Sequence, residues 1–172
     1  MKSEQEFNKQ DKDATKLVCQ IIYSEGGEMG AMPYRVQKCC ENTDWQAVFG
    51  VLQEAGLASS HTVELVRKAF ENSYCAVFVY EDNLLIGIGR AISDGAYEAA
   101  IYDIAVLPNY QGKKVGKLIL DEIHKELQNV NIILFARPGK EAFYSKLGYC
   151  KMLTGMAKFK NEVAMRDKGF IE

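Results

Sequence analysis

The chain has 172 residues, 48% hydrophobic and 26% charged, with a net charge of −2. That length suits one domain with a sizeable core, and the composition is too apolar for wholesale disorder. The near-neutral balance excludes a global basic field for nucleic acid, and no run approaches the ~20 apolar residues of a membrane span. A cytoplasmic protein is expected, with neither nucleic acid nor membrane as partner. Five cysteines, Cys19, Cys39, Cys40, Cys75 and Cys150, include no C-x-x-C pair. Their odd number and spacing suit reduced thiols better than a disulfide framework or a zinc site, and no metal is expected.

In chain order, residues 1–14 read as disordered, and Leu17 to Tyr23 as an extra strand broken by Gly26-Gly27. Met32 to Cys40 reads as a strand, with Cys39-Cys40 packing in it. Thr43-Asp44-Trp45-Gln46 has the spacing of a capping box, with Thr43 as cap. Trp45, Val48, Phe49, Leu52 and Ala55 then recur at helical spacing until Gly56. Val63, Val66 and Phe70 mark a second helix. Strands follow at Cys75–Tyr80, Leu84–Ile92 and Tyr97–Leu107, separated by Glu81-Asp82-Asn83 and Ser93-Asp94-Gly95. Gly87 and Gly89 inside the second of these predict a bulge or a close approach.

A long helix is predicted to about Leu127, with Val115, Leu118, Ile119, Ile123 and Leu127 buried. Asp121 and Lys125 are spaced to pair on its flank. Asn131 to Ala136 reads as a buried strand, Glu141 to Leu147 as a short helix closed by Gly148, and Tyr149 to Phe159 as a final strand or hairpin. His61 and His124 read as surface or helix-flank residues. There is no internal repeat. The order predicts an α/β mixture around one mixed sheet.

The stretch from Tyr110 to Lys117 carries the chemistry. A glycine-containing loop between a strand and a helix turns several backbone N–H groups toward one spot, in front of the positive helix end. Lys113, Lys114 and Lys117 add a local basic cluster against a neutral background, which favours a phosphorylated ligand. The phosphate loop G-x-x-x-x-G-K-[S/T] is not met, because Gly112 to Gly116 is too short and Leu118 follows Lys117.

Gln111-Gly112-Lys113-Lys114-Val115-Gly116, read with Phe143-Tyr144 and Gly148-Tyr149, resembles the GCN5-related N-acetyltransferase (GNAT) family. That family's acetyl-CoA motif is Q/R-x-x-G-x-G/A. The resemblance covers about Met32 to Phe159. Tyr102-Asp103-Ile104-Ala105-Val106 is similar to a strand of the glucosamine-6-phosphate acetyltransferases. Leu134-Phe135-Ala136 ahead of Phe143-Tyr144 is similar to arylalkylamine-type enzymes. Lys114 stands where the family has a glycine, so the loop is expected not to need a positive φ there. The family's asparagine ahead of the tyrosine is absent, with Gly139 or Lys140 nearby.

The resemblance implies a GNAT fold: a mixed central sheet of six to seven strands, about four helices, and splayed strands at the acetyl-CoA site. The acetyltransferase domain is expected over residues 32–172, and residues 1–31 read as an N-terminal extension whose added strand would serve a homodimer interface. Acetyl-CoA would be held by Ile104, Ala105, Val106, Gln111, Gly112, Lys113, Lys114, Val115, Gly116, Lys117, Phe143 and Tyr144. The Ile104 N–H would polarise the thioester carbonyl. Tyr144 would protonate the leaving thiolate, and Asp103 would position or deprotonate the amine, with Glu98 as second choice. The expected reaction is direct attack by a primary amine of a small molecule. The alternatives are a protein lysine or N-terminal acceptor, and a non-catalytic acyl-CoA-binding module.

Overall fold

The computed structural model describes residues 21–23 by their backbone, and residues 34–58 and 61–172 in full. Residues 1–20, 24–33 and 59–60, with the expected disorder, the starts of the first two expected strands and Gly26-Gly27, lie outside the described residues. The elements in chain order are β1 (Ile21–Tyr23), β2 (Tyr34–Gln37), α1 (Trp45–Glu54), α2 (Val63–Glu71), β3 (Cys75–Glu81), β4 (Leu84–Ser93) and β5 (Glu98–Val106). A 3-10 turn (Pro108–Tyr110), α3 (Val115–Glu126), β6 (Asn131–Ile133), α4 (Glu141–Ser145) and α5 (Glu162–Asp167) follow. The six strands form one sheet in the order β1 to β6. Neighbours from β1 to β5 pair antiparallel. β6 reaches its place beside β5 through α3, the crossover that a parallel pair requires, so the sheet is mixed as expected.

Local chemistry explains the element ends. Asp44, not Thr43, caps α1: its Oδ1 accepts the N–H groups of Gln46 and Ala47 at 2.9 and 3.1 Å. Thr43 turns inward instead, where its hydroxyl accepts the Gln37 side-chain amide at 3.1 Å. Asp44 sits one residue closer to the helix, and its carboxylate is the better acceptor for N–H groups at a positive helix end. Gly56, at φ 69°, follows the end of α1 as the sequence predicted. Asp94 Oδ1 gathers the N–H groups of Ala96, Tyr97 and Glu98 and so turns β4 into β5.

β3 is buried along its length and carries the core on both faces. Phe78, Ala76 and Tyr80 pack with Ile88 and Ala105 against Val48, Val51, Leu52, Val66 and Phe70 of α1 and α2. Trp45 lies edge-on to Phe70 and Phe78, with centroids 6.2 Å apart in each case. The other face takes α3, whose buried residues are Val115, Ile119, Leu120, Glu122 and Ile123. Leu118, expected in that stripe, is only half-buried, and Leu120 takes the deeper place. Asp121 pairs with Lys117, one turn earlier, rather than with Lys125, which pairs with Glu122.

The chain separates into two compact units, one up to Ile132 and one from Ile133 on. In the second, Phe135 packs edge-on against Phe159 and Phe170, at 6.1 and 5.8 Å. The strand expected from Asn131 to Ala136 stops at Ile133, and Ile133 and Phe135 are about half exposed rather than buried. The expected strand over 149–159 does not form. Leu153 and Met156 are 91% and 95% exposed, so the segment lacks the one-sided burial that supports a strand. α5 follows instead, with Asn161 accepting the Ala164 N–H as its cap. Cys39 is disulfide-bonded, which corrects the expectation of uniformly reduced thiols; Cys75 and Cys150 carry free thiols. No helix among the described residues is long and apolar enough to cross a membrane.

Candidate active site

β5 brings the first site residues together through a bulge. Arg90 pairs with Tyr102 and Ile88 with Ala105, so Asp103 and Ile104 together face Gly89 alone. Asp103 takes φ 55°, the left-handed conformation that lets one residue of a bulge step out of register. Gly89 is required opposite. A Cβ there would lie 2.5 Å from Ile119 Cγ2 and 2.6 Å from Ile104 Cδ1. Gly87 is similarly pressed by Val115 and Ile119. The two glycines that predicted a bulge or close approach mark both.

The Asp103 carboxylate is held by Arg90, with Oδ2 2.5 Å from Nε. The arginine is a site residue that the sequence reading did not single out. Its signal was a lone charge within the apolar run of β4. Glu98, the second carboxylate considered, is not brought to Asp103. It lies five residues earlier on β5, roughly 16 Å along an extended strand, and accepts the Asn131 side-chain amide at 3.1 Å.

Val106 leads through Leu107 and the 3-10 turn into the loop 111–114. The Gln111 side-chain amide donates back to the Val106 carbonyl at 3.2 Å, tying loop to strand end. Tyr110 donates its hydroxyl to Glu81 Oε2 at 2.5 Å, and that hydrogen bond raises the phenol's pKa. Gly112 has φ 78° with open space where a side chain would be. Lys114 has φ 63° and ψ 4°. The expectation that this position avoids positive φ is wrong: the loop keeps the conformation that a glycine would supply, and a lysine bears its steric cost.

The N–H groups of Val115, Gly116 and Lys117 open α3 without an intrahelical acceptor. Leu118 is the first to close, onto the Lys114 carbonyl at 2.9 Å. No side chain caps this end and its first turn holds no acidic residue. The donors are therefore free for an anion, as a pyrophosphate requires. Lys113 lies 4.8 Å from the Tyr110 ring centre, and Lys117 pairs with Asp121 at 2.6 Å.

In the second unit, α4 carries Phe143 and Tyr144, with ring centres 5.0 Å apart. Gly148, at φ 89°, ends the helical turn: the Tyr149 N–H returns to the Tyr144 carbonyl and the Gly148 N–H to that of Ser145. Burial raises the Tyr144 phenol's pKa, and burial with the charge of Tyr144 pushes that of Tyr149 up to about 12. Tyr144 therefore keeps its proton at neutral pH. Among the described residues there is no cluster of His, Cys, Asp or Glu able to hold a metal.

Comparison with known proteins agrees with this arrangement. A sequence model described as "Acetyltransferase (GNAT) domain" matches residues 73–151, the span from β3 through the loop to α4. The chain is 30% identical over 158 residues to the uncharacterized N-acetyltransferase ycf52 of Pyropia yezoensis, covering 87% of this chain and 83% of that one. It is 33% identical to the histone acetyltransferase TAP1 of Glycine max, over 76% of this chain, but spans only 56% of that relative's length. It is 27% identical to the chloroplastic serotonin N-acetyltransferase 2 of Oryza sativa subsp. japonica, over 78% and 72% of the two chains. A solved structure from meticillin-resistant Staphylococcus aureus, titled a probable acetyltransferase of unknown function, superposes with a TM-score of 0.64 at 30% identity. That match covers 73% of this chain and 99% of the other. On the fold, the loop and these relatives, the chain belongs to the GNAT family of acetyltransferases.

Proposed function

We propose that the protein transfers an acetyl group from acetyl-CoA to a primary amine of a small molecule, without an acyl-enzyme intermediate. The observation that carries the reading is the continuity of β5, loop and α3. A bulge at Asp103–Ile104 leads, within about ten residues, to the uncapped donors of Val115, Gly116 and Lys117. The pyrophosphate would accept from the loop and first-turn N–H groups, with Gly112 leaving space for it. The pantetheine arm would run along Ile104 to Val106, and the Ile104 N–H would donate to the thioester oxygen as charge develops there.

An amine with a pKa near ~10 is mostly protonated at pH 7 and must shed a proton before attacking. Asp103 is the carboxylate at the bulge, and we assign it the positioning of that amine. The departing sulfur, near pKa ~8.5 as a thiol, is assisted by a donor that is still protonated, and the Tyr144 phenol meets that need. The small-amine reading is supported by the name of the rice relative and by an Asp103 carboxylate only 26% exposed, which suits a slender cation.

The soybean relative's name favours a second acceptor, a protein lysine. Thiol release from acetyl-CoA, measured with a panel of arylalkylamines, amino sugars and lysine-containing peptides, separates the two. A kcat/KM for a small amine at least about tenfold above every peptide supports the proposal; the reverse order overturns it.

A further inference from the structure

Arg90 is the part of the site that the reaction scheme leaves unexplained. It stands on β4 among buried apolar neighbours, with its side chain 13% exposed. Its guanidinium lies 5.8 Å from the Phe70 ring centre of α2 and 5.2 Å from that of Tyr102 on β5. Nη1 is 3.4 Å from the Ser73 hydroxyl, and Nε is 2.5 Å from Asp103 Oδ2. Two aromatic faces, a hydroxyl and a carboxylate thus fix one planar cation. A fork held on several sides has little freedom left to lose, so it orients the group it binds.

That group is the left-handed residue of the bulge. A non-glycine residue at φ 55° persists only where its surroundings hold it. Gly89 leaves room for Ile104 on the α3 side of the sheet, and Arg90 grips Asp103. The clamp therefore sets the direction of the peptide between Asp103 and Ile104, whose N–H is the proposed donor to the thioester oxygen.

We infer that Arg90 is a positioning residue: through Asp103 it fixes the bulge that aims the Ile104 N–H and presents the carboxylate to the amine. The inference rests on the acetyltransferase reading above. Its effect falls mainly on the chemical step, because the pyrophosphate donors that carry most of the hold on acetyl-CoA lie beyond Val106.

A double-mutant cycle on thiol release tests it, using Arg90→Gln, Asp103→Asn and the double variant, with thermal melting of each protein. Asparagine tolerates positive φ, so Asp103→Asn keeps the bulge while removing the charge. Arg90→Gln is expected to lower kcat about 10- to 100-fold with the KM for acetyl-CoA within about twofold. The double variant is expected to match Asp103→Asn alone, because the arginine acts through that carboxylate. Arg90→Lys, which keeps the charge and is the gentler change, is expected to recover part of the lost kcat. An unchanged kcat in Arg90→Gln, effects that multiply in the double variant, or a loss confined to KM and melting temperature would overturn the inference. No thiol release from the unaltered protein with any amine would instead overturn the acetyltransferase reading beneath it.

Discussion

Single residues carry the sharpest consequences. Lys114 occupies a left-handed position that costs an L-residue about 1–2 kcal/mol. Lys114→Gly is expected to raise stability by about 1 kcal/mol in urea unfolding and to leave acetyl-CoA affinity intact, while Lys114→Val lowers both. Gly89→Ala would drive a methyl into Ile119 and Ile104, at a cost of about 1–3 kcal/mol by the same measurement. Tyr144→Phe is expected to reduce kcat about 10²-fold with little change in acetyl-CoA binding by calorimetry. An unchanged kcat, at a pH where chemistry limits the rate, would remove the tyrosine's acid role. What the sequence conveyed at this scale was residue type, and what it hid was conformation. Gly87 and Gly89 announced a close approach because only glycine lacks a Cβ. Lys114 announced nothing, because a lysine does not reveal that its backbone is strained. Arg90 gained meaning only once β4 and β5 were in register.

At the scale of elements, the attachment of β2 to α3 is electrostatic. Lys38, just past β2, reaches Glu122 Oε2 at 2.7 Å and Glu126 Oε1 at 3.0 Å. Glu122 is 3% exposed and also meets Lys125 at 2.5 Å. Burial alone would raise the Glu122 pKa, but hydrogen bonds and charges from Lys125 and Lys38 outweigh it and hold it below the ordinary 4.5. Burial likewise opposes the Lys38 charge, and its glutamates outweigh it, raising its pKa above 10.5.

The signs set a pH window. The Glu122 contribution is complete above pH 4.5 and is lost as pH falls through its depressed folded value. The Lys38 contribution is complete below pH 10.5 and is lost as pH rises through its raised folded value. Lys38→Met is expected to cost about 2 kcal/mol at pH 7, less than a fully orphaned buried carboxylate, because Lys125 remains. Urea unfolding should show that cost shrinking as pH falls below 4.5 and on through the depressed folded value, where the unaltered protein loses the pair as well. Element ends were legible where a short polar side chain sat beside an apolar run. The Thr43–Asp44 exchange shows that two adjacent candidates are resolved only by which one finds a buried partner. The 149–159 segment shows the other limit: alternating apolar residues read as a strand until nothing packs them.

For the whole molecule, the element order as far as α4, the mixed sheet and the loop into α3 were legible because hydrophobic period and glycine placement are local signals. The tie between Arg90 and Asp103 and the Lys38–Glu122 attachment were not, because each joins positions that only the tertiary fold brings together. The central claim is that the open N-terminus of α3, with the loop from Gln111 to Lys114, holds acetyl-CoA. Calorimetric titration of acetyl-CoA into the protein measures this most directly. One site per chain is expected, with a Kd in the micromolar range, on the order of −7 to −8 kcal/mol. Binding by Gly112→Val, which fills the open space and cannot hold φ 78°, is expected to be at least about tenfold weaker. Absence of binding at about millimolar acetyl-CoA, or undiminished binding by Gly112→Val, would contradict that claim.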